Sequence, residues 1–199
     1  MYELVYFLDR EFFNWLNGWA ASSPAMSGTA VFLAVYLWYL VMAAVVFIVA
    51  FSFLPSLRKY LKRNCEFFFF TFASAFAARF VFTELIRFFY NRPRPFDLPA
   101  EVLTKAGVEP VRQLIAHASD GSFPSGHAAL SFAVATAVAF YYPRTSILFF
   151  VAAFVIGLGR VAAGVHYPID ILGGAVVGVM TAWLLRLLKD KFFGKKTGA

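Results

Sequence analysis

The chain of 199 residues has one cysteine, Cys65, and three histidines. A single thiol excludes an intrachain disulfide and leaves the redox compartment unread. Three dispersed histidines without clustered cysteines give no metal-ligand spacing. Charge is scarce as well: Asp, Glu, Lys and Arg make up 15% of the chain, against 61% hydrophobic and 20% aromatic residues. Such a balance excludes a soluble globule, which would expose too much apolar surface, and makes lipid the expected solvent. Acidic residues are outnumbered 11 to 18, for a net charge of +7. This excess does not point to nucleic acid, because the basic residues fall between apolar runs, where they act as membrane anchors. No basic stretch precedes the first apolar run, which argues against a cleaved signal peptide. No internal repeat or low-complexity tract divides the chain, and one membrane domain over residues 1–199 is expected.

The expected fold is all-α, a polytopic bundle of about five transmembrane helices. A span needs about 20 apolar residues, and the candidates are 28–54, 65–87, 124–142, 146–165 and 168–188. Residues 3–17 place Leu4, Val5, Leu8, Phe12, Trp15 and Leu16 at helical spacing, with Glu3, Arg10, Asn14 and Asn17 opposite. That pattern reads as an N-terminal interfacial helix, with a sixth span as the alternative. Arg58, Lys59, Lys62 and Arg63 lie between the first two spans, Arg144 lies between the third and fourth, and Lys189, Lys191, Lys195 and Lys196 follow the last. Positive charge marks those connections and the C-terminus as cytoplasmic. The N-terminus, the segment 88–123 and the turn around His166 then share the external face. Leu98–Val108 and Val111–Ala116 within that segment can each form a short helix, in a loop whose length suits a lid or substrate wall.

Three polar blocks converge on that face. In the first, Arg87, Arg92 and Arg94 crowd a helix end, where arginine either snorkels to headgroups or forks onto an anion. Pro95 follows them. In the second, Pro124 suits a first helical turn, and the N–H groups of Ser125, Gly126 and His127 lie at a positive helix end able to bind an anion, with Gly126 permitting close approach. Taken alone, that tetrapeptide is equally an ordinary helix start. In the third, Gly164 can end one helix and Pro168 begin the next, leaving Arg160, His166 and Asp170 at the break. A carboxylate beside one imidazole nitrogen fixes the tautomer and frees the other nitrogen as a nucleophile, or simply staples the turn. Arg79 and Glu84 lie within a span and need partners there, either in support of the site or in helix packing.

In this order and spacing the blocks resemble the type-two phosphatidic acid phosphatase superfamily, whose signature is Lys-x6-Arg-Pro, then Pro-Ser-Gly-His, then Ser-Arg-x5-His-x3-Asp. The spacing selects Arg87 and Arg94-Pro95 over Arg92-Pro93. The second block matches as Pro124, Ser125, Gly126 and His127, and the third as Arg160, His166 and Asp170. Two positions depart: Arg87 replaces the lysine and Gly159 the serine. The short chain, the Arg92-Pro-Arg-Pro-Phe96 run and the stretch Leu114–His127, which includes His117, look most like bacterial undecaprenyl-diphosphate phosphatases.

That resemblance implies a lipid phosphatase of the bacterial cell membrane without metal or other cofactor, acting on a membrane lipid phosphate at the external face. His166 would be nucleophile, Asp170 its partner and His127 the acid, while Arg87, Arg94, Ser125, Gly126 and Arg160 bind phosphate. Undecaprenyl diphosphate, phosphatidylglycerophosphate, phosphatidic acid and a lipid A phosphate stay open as substrates. A headgroup-binding protein without activity would explain the arginines but not the histidines. Vanadate-dependent haloperoxidation, which shares the anion site, fits poorly with five spans.

Overall fold

Ser23 accepts a hydrogen bond from the Met26 N–H at 3.3 Å and Pro24 occupies the first turn, so the first long helix starts at a built cap rather than at residue 28. The computed structural model describes residues 2–97 and 111–193, and all regular structure among them is helical. The helices are α1 (Tyr2–Ala21), α2 (Pro24–Phe51), α3 (Pro55–Phe89), α4 (Gly126–Tyr141), α5 (Ser146–Ala162) and α6 (Pro168–Phe193). Of these, α2, α3 and α6 are long and apolar enough to cross a membrane, and α4 and α5 are shorter apolar helices. Wide π-type turns interrupt α2 at Phe32–Tyr36 and α3 at Ala77–Phe82.

The side chains sort as lipid requires. Phe47, Phe69, Phe76, Leu148 and Met180 face outward, while α4 is buried on nearly every side, chiefly through Ala128, Ala129, Ala133, Ala135 and Ala137. A surface this apolar would be a liability in water and is ordinary in a bilayer. Small residues let α4 sit between α3, α5 and α6. A Cβ at Gly174 would collide with Ser125 O and Ala128, and one at Gly178 with Ala129 O, so this pair of glycines packs α6 onto α4 within the chain.

The basic connections lie together at one end of the bundle. Lys189 bonds Glu66 and, at 2.9 Å, the Tyr141 hydroxyl, while the Arg63 guanidinium lies 5.0 Å from the Tyr142 ring centroid. The three polar blocks occupy the opposite end.

Two expectations change. The polar residues of α1 do not form an outward face: Asp9 and Asn17 are buried, whereas Leu8, Phe12 and Trp15 are exposed. Asn17 Nδ2 donates to Arg112 O and Ala162 O, both at 2.9 Å, and its Oδ1 accepts from Arg112 N at 3.0 Å. Buried polar groups need partners, and here the loop and α5 supply them. For the same reason Val111–Ala116 is not a helix: Arg112 and Leu114 spend their N–H groups on Asn17 and Ala163 O. The other expected loop helix, Leu98–Val108, lies outside the described residues.

Candidate active site

The last turn of α3, the loop before α4 and the break between α5 and α6 build the site. Gly164, with φ of +79°, ends the α5 run in a conformation that suits glycine, and Pro168 opens α6. This break holds His166 with 1% exposure and puts Asp170 in the first turn of α6. His166 Nδ1 lies 3.5 Å from Asp170 Oδ2, which also takes the Tyr167 N–H at 2.8 Å and the Ser122 hydroxyl. With the carboxylate on the Nδ1 side, the Nε2 lone pair points away from it, 3.2 Å from Arg94 Nη1. Burial pushes the His166 imidazole down to about 3 against the pull of Asp170, so the ring is neutral across the physiological range.

Arg87, Arg94 and Arg160 are all buried beside this pair. Arg94 donates to Val165 O at 2.7 Å, to Gly121 O at 3.2 Å and to Asp120. Arg87 donates to Pro124 O at 3.1 Å, to Asp120 Oδ2 at 3.2 Å and to Glu84 at 3.4 Å. A planar guanidinium can serve three acceptors in different directions, which gives arginine a geometric role where the family pattern has lysine. Arg160 is left more open: its Nε and Nη2 are buried without a hydrogen-bond partner among the described residues, against only Nε in Arg87. Buried guanidinium N–H groups left open cost stability unless an anion completes them.

The Pro124–His127 block is put together differently from the sequence expectation. Pro124 precedes the cap instead of entering the first turn, and the Phe123–Pro124 bond is cis. Ser125 is the N-cap, its Oγ accepting from Ala128 N at 3.4 Å. Its N–H is not available to an anion, because it donates to Asp170 O at 2.9 Å. Nor does Gly126 leave an open approach: a Cβ there would meet Arg79 Cδ and Nε at 2.6 Å, so the Arg79 side chain fills that space. Arg79 in turn pairs with Glu84. The Gly126 and His127 amides remain first-turn groups without intrahelical acceptors. His127 is half-buried, within electrostatic reach of Arg160, His166, His117 and Arg79.

The glycine at 159 has a steric cause. A Cβ at that position would lie 2.6 Å from Ala34 N and 2.7 Å from Leu33 C, so the wide turn of α2 leaves no room for serine.

Four residues at the site escape sequence reasoning. Arg92, passed over by the spacing rule, donates to Asp170 Oδ1 at 2.8 Å and to Asp9 Oδ2 at 2.7 Å. Asp9 also accepts from Ile169 N at 2.8 Å. Ser122 and Asp120, both in the loop before α4, bond Asp170 and the two arginines. Asp9 carried a detectable signal, being a carboxylate set in an apolar helix that must find a partner. Asp120 and Ser122 carried none.

Residues 67–193 match the PAP2 superfamily, and the chain belongs to it. It is a multi-pass membrane protein. With undecaprenyl-diphosphatase BcrC of Bacillus subtilis (strain 168) it shares 32% identity over 113 residues, 57% of this chain and 53% of that one. The crystal structure of Aquifex aeolicus LpxE matches with a TM-score of 0.60 at 28% identity, covering 87% of this chain and 92% of that chain. The first transmembrane PAP2-type phosphatidylglycerolphosphate phosphatase from Bacillus subtilis matches with a TM-score of 0.56 at 20% identity, over 98% of this chain and 90% of that chain, a likeness of fold alone. The chain spans about half or less of the length of the curated relatives it matches.

Proposed function

We propose that the protein is a lipid phosphatase that removes a terminal phosphate through a phosphohistidine, with undecaprenyl diphosphate as its substrate and recycling of a cell-wall lipid carrier as its role. The observation that carries this reading is Arg160, whose buried Nε and Nη2 lack partners among the described residues beside the neutral His166. That combination suits a bound phosphoryl group next to a nucleophile.

His166 Nε2 attacks the terminal phosphorus while the bond from phosphorus to the lipid-side oxygen breaks, and His127 gives that oxygen its proton. Arg87, Arg94 and Arg160, with the Gly126 and His127 amides, take up the charge spread over the phosphoryl oxygens. Asp170 keeps the His166 tautomer and balances the cation formed on it. Water then attacks the phosphohistidine, with His127 as base, releasing inorganic phosphate. No metal enters this sequence. The hydrocarbon chain stays in the bilayer and the headgroup reaches the site from the outer leaflet, with the basic end of the bundle in the cytoplasm.

The identity to BcrC favours the diphosphate over phosphatidylglycerophosphate, phosphatidic acid and lipid A phosphates. Phosphate release from these four lipids, compared in one detergent with wild-type protein and with His166→Ala, tests both levels. The expected result is highest kcat/KM on undecaprenyl diphosphate and none above background in the variant. Turnover by His166→Ala overturns the mechanism, a different preferred lipid overturns the substrate, and no turnover by wild type leaves a headgroup-binding protein.

A further inference from the structure

Asp120 stands where a phosphoryl group has to go. Its Oδ1 accepts from Arg94 Nη2 at 2.6 Å and Nε at 2.9 Å, and its Oδ2 accepts from Arg87 Nη1 at 3.2 Å. Its backbone oxygen takes a further bond from Arg94 Nε at 3.1 Å. Arg94 has no exposure at all, and its remaining hydrogen bonds run to Val165 O, Gly121 O and the edge of His166. Every nitrogen of that guanidinium is therefore engaged, whereas Arg160 and Arg87 each have nitrogens without a partner among the described residues. A phosphoryl oxygen can reach Arg94 only by exchange, and among its oxygen partners the one free to leave is the Asp120 carboxylate. Backbone carbonyls are fixed by the chain, but Asp120 is 44% exposed and can rotate into water at little desolvation cost. His117, whose Nδ1 lies 3.7 Å from Asp120 Oδ1, flanks the same mouth.

We infer that Asp120 is a specificity-determining counter-ion: its carboxylate holds Arg87 and Arg94 in the empty site and competes with the incoming phosphoryl group for them. This inference rests on the phosphatase reading. Its consequence falls unequally on substrate and product. A lipid phosphate is delivered by the membrane that holds its chain, so it presents a high local concentration with which to displace the carboxylate. Inorganic phosphate has only its charge, and the competing carboxylate keeps it from occupying the site after turnover. Burial pushes the Asp120 carboxyl up, but the bond and charge from Arg94 and then Arg87 outweigh that and hold it below the usual carboxylate range, so the competitor stays ionised.

Asp120→Asn keeps the shape and one acceptor while removing the charge, and Asp120→Glu keeps the charge. The experiment measures inhibition of lipid-phosphate hydrolysis by inorganic phosphate, together with the shift in thermal midpoint that inorganic phosphate gives each purified protein. Expected results are a Ki for inorganic phosphate at least tenfold lower in Asp120→Asn, a KM for the lipid lowered by less, and a Ki near wild type in Asp120→Glu. Should Asp120→Asn not fold, Asp120→Ser takes its place with the same expected fall. An unchanged or higher Ki in the uncharged variants overturns the inference while leaving the phosphatase reading standing. A wild-type protein that neither turns over lipid nor is stabilised by phosphate overturns the phosphatase reading itself.

Discussion

Arg92 holds Asp170 from the side away from His166. Its Nη1 lies 2.8 Å from Asp170 Oδ1, and its other Nη anchors on Asp9 of α1 at 2.7 Å, with the guanidinium 4.0 Å from the Tyr167 ring centroid. Burial pulls the Arg92 guanidinium down, but Asp170 and Asp9 outweigh it, leaving the group more basic than usual and permanently charged. In the proposed mechanism Arg92 is thus a positioning residue that acts on His166 through Asp170.

Replacing it with Gln leaves Asp170 its bonds to Tyr167 and Ser122 but no cation. We expect kcat to fall about tenfold, or about 1.4 kcal/mol of barrier, with KM within about threefold of wild type. Arg92→Lys should recover part of the loss, since one ammonium cannot fork to both carboxylates. A raised KM at unchanged kcat would show that Arg92 contacts substrate instead.

His127→Ala separates acid catalysis from positioning. An aryl phosphate leaves without help, whereas a lipid phosphate oxygen needs a proton. The variant should lose about tenfold less activity on the aryl ester than on the lipid. Equal losses on both would remove His127 from the acid role.

Stability should depend on pH with a sign set by His166. Its native value of about 3 lies below the ordinary 6.5, so between those limits the unfolded chain binds a proton that the native protein does not. Stability is complete above about 6.5 and declines as pH falls toward 3. Asp120, also held low, adds to the loss at the acid end. Thermal midpoints in detergent from pH 8 to pH 4 should be flat and then fall, and His166→Asn should flatten the upper part of that fall. An identical slope in the variant would remove His166 as its source.

Excess EDTA should leave turnover unchanged, since the proposed chemistry uses only side chains and backbone amides. Vanadate, which adopts the geometry of the phosphoryl transition state, should inhibit competitively. Loss of activity in EDTA with recovery on adding one divalent ion would contradict the metal-free step.

Sidedness can be read by labelling. In a Cys65→Ser background, Gln113→Cys in the loop at the site end should react with an impermeant maleimide in intact cells. Thr145→Cys, at the basic end, should react only after lysis. The reverse pattern would put the site on the cytoplasmic leaflet.

The candidate site residues were more legible in the sequence than the residues that support them. His166 and Asp170 are i,i+4 neighbours, a spacing that local geometry reads directly, and span topology carries the blocks holding Arg87, Arg94, His127 and Arg160 to the same end of the bundle. Asp9, Arg92, Ser122 and Asp120 act across separations of 26 to 160 residues, and no local period encodes such contacts. Hydropathy alone misplaces a helix start where a cap sets it, as at Ser23-Pro24. Hydropathy misreads α1 in part because it assumes that polar groups seek water, whereas Asp9 and Asn17 seek the loop and helix ends of the site.

Those two buried side chains also bear on assembly order. Asp9 and Asn17 lie on α1, yet their partners Ile169, on α6, and Ala162, at the end of α5, come 160 and 145 residues further along the chain. Asp170 cannot acquire its surroundings until α6 has inserted and α1 has docked against it. A nascent chain that lacks α6 therefore carries the arginines and His127 but no completed His166–Asp170 pair. Under the proposed mechanism, hydrolysis is then confined to molecules in which α1 and α6 have docked.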